Sequence, residues 1–164
     1  MKPLAVALTN KPLQRERVVM TKLHSILNKQ ISTWSVLYMK LHNFHWYVKG
    51  NQFFTLHVKF QELYEESTLH LDDLAERLLA LEGKPVASLS EHLELSSVKE
   101  ATGKETPEQM VDTLIADFTT VASELKEGMD EAQKKGDETT GDMLLAIHKS
   151  LEKHIWMLKA FNGR

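Results

Sequence analysis

The sequence predicts an all-α protein, a bundle of four long helices with a short fifth helix inside the crossover between the second and third long ones. Three observations carry this. Gly and Pro are scarce, 7 and 4 in 164 residues, too few for a turn-rich β fold. Apolar residues recur at steps of three, four and seven across long windows. The helix-stopping signals fall between those windows and not inside them.

Taken in chain order, residues 14 to 48 contain neither Gly nor Pro and carry Val18, Leu23, Leu27, Trp34, Leu37, Leu41 and Trp46 on one pattern, which Gly50 ends. The second pattern runs from Leu56 to Leu81, with Thr55 as its expected N-cap and Gly83 and Pro85 as its stop. Ser88 to Leu95 reads as the short helix, because Ser88 stands three residues before Glu91 in a capping box. Thr106-Pro107-Glu108-Gln109 combines a cap, Pro at the first helical position and a capping-box Gln, and starts a helix that reaches about Lys135 before Gly136. After Asp137 to Gly141 the last helix carries Leu144, Leu151, Ile155 and Leu158 up to Gly163. Four helices with one long crossover form the ferritin-like arrangement. The predicted organisation is an N-terminal arm over residues 1–15 and one ferritin-like four-helix bundle domain over residues 16–164, in line with roughly 150 residues per domain.

Composition narrows the chemistry. The chain has no Cys, which excludes disulfides, thiolate zinc sites, iron–sulfur clusters and a cysteine nucleophile. Any metal must bind nitrogen and oxygen. A net charge of -3 gives no chain-wide attraction to phosphate. No apolar stretch approaches the ~18 residues of a membrane span, and the run Leu4 to Leu8 is too short for an export signal, so a cytoplasmic location is expected. Hydrolase and nucleotide-binding fingerprints are missing from the sequence.

Eight His remain to be explained. At ~100° per residue, His57, Gln61, Asp72 and Glu76 fall near ~0°, ~40°, ~60° and ~100° on one face of the second helix. Asp73 falls outside that arc. Yet fifteen residues separate His57 from Asp72, roughly 22 Å along the axis at ~1.5 Å per residue. One chain cannot close such a site. Positions 57 and 76 share the midpoint 66.5 with positions 61 and 72, so two copies of this helix, antiparallel about a two-fold axis there, would set His57 against the partner's acidic residues. His45 would arrive from the end of the first helix. Imidazole with carboxylate and no sulfur suits iron, zinc or manganese.

The run LHNFHWYVKGNQFFTLHVKFQELYEE, followed by LDDLAERLLALEGKPV, resembles the ferroxidase signature of the Dps family, the miniferritins named as DNA-binding proteins from starved cells. The similarity continues through Leu151-Glu152-Lys153-His154-Ile155-Trp156 and covers the chain after about residue 20. The resemblance implies a homo-oligomeric, dodecameric hollow shell that oxidises Fe(II), preferentially with hydrogen peroxide, and stores the ferric mineral. It implies His45 and His57 of one subunit, with Asp72 and Glu76 of another, as iron ligands, and zinc as a substitute metal. The family usually has a carboxylate where this chain has Gln61, which coordinates through a neutral carbonyl. A weaker iron position is therefore expected there. The resemblance also places Glu138 and Asp142 at acidic pores, beside Asp137 and Gln133. Carboxylate rings concentrate cations, although the same carboxylates also suit the positive end of a helix dipole.

Other His read as ordinary surface or core residues. His42, three residues before His45 on the same face, is a candidate outer partner of the site. Trp46 either intercepts radicals near iron or simply packs at a helix end. DNA is the competing partner. Lys2, Lys11, Arg15 and Arg17 make a weakly basic arm, and many arms on one shell bind by avidity. The acidic remainder opposes that, so DNA is not the favoured reading.

Overall fold

The computed structural model describes residues 21–164. The basic arm and the 1–15 boundary therefore lie outside the described residues. Among the described residues the elements are α1 (Lys22–Tyr47), α2 (Phe53–Ala80), α3 (Leu89–Leu95), α4 (Pro107–Lys134) and α5 (Glu138–Phe161). The predicted all-α class and the ferritin-like order of four long helices with a short one in the crossover are both present. No described helix is long and apolar enough to cross a membrane.

Several helix starts differ from the sequence reading, each for a local reason. Thr21 is extended and its side chain accepts from the His24 N–H, so α1 begins at Lys22. Helix α2 begins three residues earlier than expected. Gln52 takes the cap position without a side-chain bond, the Phe53 N–H donates to the Gly50 carbonyl at 3.1 Å, and Thr55 lies inside the first turn. At α5 the Asp137 carboxylate accepts from the Thr140 N–H, which starts the helix at Glu138 and leaves Gly141 helical. The two capping boxes, Ser88 with Glu91 and Thr106 with Gln109, form as read.

Helices α1 and α2 make one antiparallel hairpin and α4 and α5 the other, and the core between them is built from Leu27, Leu37, Phe44, Phe60, Leu114 and Phe118, all essentially buried. Polar α1 residues are buried too. Asn28 donates to the Lys84 carbonyl and accepts from the Val86 N–H, Thr33 accepts from the Ser97 N–H, and Gln30 donates to Glu124. The crossover thus seals the flank of α1 through hydrogen bonds, which is how buried polar groups are tolerated. Lys40, 3% exposed, pairs with Asp117 of α4. Burial pushes the Asp117 carboxyl up, against the opposing pull of Lys40.

The seam between α2 and α5 is polar. Glu66 of α2 accepts from His154 Nε2 at 2.6 Å and from Ser150 of α5, while His70 on its own helix approaches at 3.1 Å. Burial raises the Glu66 carboxyl, but the hydrogen bonds from His154, His70 and Ser150 outweigh it and hold the group well below the usual carboxylate range. Farther along the seam, Arg77 bonds Asp137 at 2.7 Å and Thr140 at 2.8 Å.

Candidate metal centre

The turn between α1 and α2 brings His45 and His57 together. Gly50 supplies the tight reversal, with a φ of +90° that favours glycine. His45 Nδ1 then lies 2.7 Å from the His57 main-chain carbonyl, and His57 Nδ1 lies 2.8 Å from the His45 carbonyl. A carbonyl only accepts, so each Nδ1 must carry the proton and donate it. Both Nε2 lone pairs are left free by this reciprocal clasp. The two rings stack at 3.7 Å with 19° between their planes, Phe53 stacks on His57 at 4.8 Å, and Tyr64 meets His45 edge-on at 5.4 Å. Fixing the tautomer and ring plane through the second nitrogen is the usual way a protein prepares an imidazole ligand.

The acidic residues stand elsewhere on α2. Asp72 and Glu76 are exposed, and among the described residues neither has an ion pair or a side-chain hydrogen bond. Gln61 is exposed as well, and its Nε2 donates to Glu65 Oε1 at 2.9 Å. Among the described residues no three His, Asp or Glu side chains of one chain meet where they could hold an ion. The structure therefore joins His45 to His57 but leaves Asp72 and Glu76 apart from them on the same outward face. That face also exposes Val58, Leu69 and Leu79, at 53%, 64% and 59%.

The other candidates divide. Glu138 and Asp142 are exposed in the first turns of α5, while Asp137 is committed to capping that helix and to Arg77. Burial raises the Asp137 carboxyl, but Thr140 and Arg77 together hold it below its ordinary value. His42 donates its Nδ1–H to the Tyr38 carbonyl at 2.9 Å and stacks on Tyr64 at 3.8 Å. It thereby shares Tyr64 with His45. Trp46 is 60% exposed, with its ring 5.2 Å from His42. Among the remaining His, His92 is pushed down by burial, against a smaller pull from Glu91, and meets Ser32 at 3.3 Å. The Glu66 cluster was missed by sequence reasoning. Glu66 and His70 are four residues apart, a visible signal, but His154 joins them only through the packing of α5.

Comparison with known proteins places the fold and the site in context. A family model described as Ferritin-like domain matches residues 24–164. General stress protein 20U of Bacillus subtilis is 65% identical over 137 residues, covering 84% of this chain and 94% of that protein. A DNA protection during starvation protein 2 from Bacillus anthracis is 59% identical over 136 residues, covering 83% of this chain and 93% of that protein. The structure of Dps from Listeria innocua soaked with zinc superposes with a TM-score of 0.84 at 42% identity, over 87% of this chain and 97% of that one. With the Ferritin-like model matched over residues 24–164 and these relatives covered almost end to end, the chain belongs to the Dps family of ferritin-like proteins.

Proposed function

We propose that two copies of this chain pair along α2 and oxidise Fe(II) between them, as part of a hollow dodecameric shell that stores the ferric product. The observation that carries this reading is the His45–His57 clasp. It prepares two Nε2 donors that nothing among the described residues uses, while Asp72 and Glu76, unpaired among the same residues, stand on the same face roughly 22 and 28 Å away along the helix. An antiparallel partner would supply the missing half at each end. The exposed Val58, Leu69 and Leu79 favour such a cover, since apolar side chains on a polar-rimmed face mark association.

Iron is substrate here. Two Fe(II) each give one electron to one hydrogen peroxide, whose O–O bond breaks to two hydroxides, so no hydroxyl radical is released. His45 and His57 bind and orient one side of the iron pair, and Asp72 and Glu76 of the second copy neutralise the charge that grows as Fe(III) forms. Glu138 and Asp142 draw cations toward the interior. A cytoplasmic protein with this activity would remove free iron and peroxide together.

Anaerobic Fe(II) titration followed by stoichiometric peroxide, with particle mass read by light scattering, tests the reading. The expected result is saturable binding, peroxide-driven Fe(III) formation and a particle of many subunits. A monomer, or unchanged binding in His57→Ala, would overturn it. The starvation-protection names of the relatives favour a second reading in which the shell also binds DNA. Its expected carriers, Lys2, Lys11, Arg15 and Arg17, lie outside the described residues. A salt-dependent gel shift lost on deleting residues 1 to 17 would support it.

A further inference from the structure

We propose that Glu65 is the positioning residue that turns Gln61 into an effective oxygen donor for the second iron position. The inference rests on the metal centre of the preceding subsection and concerns the one position where a carboxylate is replaced.

Gln61 Nε2 donates to Glu65 Oε1 at 2.9 Å. A carboxylate at neutral pH only accepts, so the amide nitrogen must be the end that faces Glu65. The other end of the amide, Oε1, is thereby turned away from Glu65 and left free as the metal-facing atom. The hydrogen bond does more than orient. An amide whose N–H is held by an anion carries more negative charge on its oxygen, because bonded dipoles polarise one another. The negative charge that Gln61 lacks thus sits one hydrogen bond behind it.

The pair also explains why an amide is tolerated at 61. On α2 residues 61 and 65 are one turn apart on the same face. Two carboxylates at that spacing repel, so a Glu at 61 would push Glu65 away. The amide draws it in. The hydrogen-bonded pair carries one negative charge, and Gln61 with Glu65 forms a divided equivalent of a single carboxylate. The weaker iron position expected from Gln61 alone is offset by its neighbour.

The test compares Co(II), as a redox-silent probe, and anaerobic Fe(II) titrations of the assembled wild-type protein and of Glu65→Gln, Gln61→Glu, the double variant, and His57→Ala as control. Loss of an outer partner of a metal ligand typically costs 10- to 100-fold in affinity, so Glu65→Gln is expected to weaken the second equivalent by about 10-fold and leave the first. The double variant, which reverses the pair, is expected to restore it. Gln61→Glu alone is expected to gain nothing. Wild-type affinity for both equivalents in Glu65→Gln, with binding lost in His57→Ala, overturns this inference alone. Failure of the double variant to rescue overturns it too, because the loss in Glu65→Gln then does not trace to the oxygen donor at position 61. Unchanged binding in His57→Ala overturns the metal centre itself.

Discussion

Helix α2 has two polar flanks, and the chain finishes them differently. On the flank toward α5, Glu66 gathers His154, Ser150 and His70 within one subunit. On the outward flank, His57, Gln61, Asp72 and Glu76 are held ready but not joined. The contrast teaches how to separate a structural cluster from a functional one. In the first, hydrogen bonds run from side chain to side chain and close within one subunit. In the second, the imidazoles are tied to main-chain carbonyls and keep their free nitrogens for something outside the chain.

The sharpest way to break this comparison is Asp72→Asn. Removal of an outer partner already costs 10- to 100-fold in metal affinity, so loss of a direct ligand is expected to weaken Fe(II) binding by more than about 100-fold. Exposed and unpaired, the same substitution should shift the metal-free melting temperature by no more than ~2 °C. A large loss of thermal stability without metal would show that the outward flank is structural after all.

Glu66→Ala should do the reverse. It strips the α2/α5 seam of its acceptor and leaves His154 facing nothing, at an expected cost of about 2 kcal/mol in chemical denaturation at pH 7. Fe(II) affinity is expected to stay within about twofold. The pH dependence sharpens this further. The Glu66 carboxyl is held below its ordinary value of 4.5, so its stabilisation is complete above that pH and is lost as pH falls through the depressed folded value. The stability gap between wild type and Glu66→Gln should therefore shrink as pH falls below about 4.5; a gap that goes on widening there would contradict the assignment. Ser150→Ala removes one of the three donors and should cost about 1 kcal/mol by the same denaturation measurement.

Much of this was legible in the sequence, and the parts that were not have physical causes. The two capping boxes and the glycine stops are local signals, so α3 and α4 were readable to within a residue or two. The outward face of α2 was readable because helical rotation alone sets His57, Asp72 and Glu76 on one arc of the helix. The start of α2 was not, since Thr55 is a better capping residue than Gln52, and the tight reversal at Gly50 decided otherwise. Buried Asn28, Gln30 and Lys40 were invisible to periodicity, because their partners lie 56, 94 and 77 residues away. The reciprocal His45–His57 clasp likewise depends on where two backbones meet.

Each chain would carry a complete inventory of ligands at the wrong spacing for its own use, and that makes the centres of a pair genetically separable. A His57→Ala chain and an Asp72→Asn chain are each expected to be inactive as pure assemblies. In a mixed pair the two lesions fall at the same end and leave the opposite end whole, so co-assembly should revive about a quarter of the centres when the two chains mix at random. Complementation of this kind would distinguish reciprocal donation from any arrangement built inside one subunit.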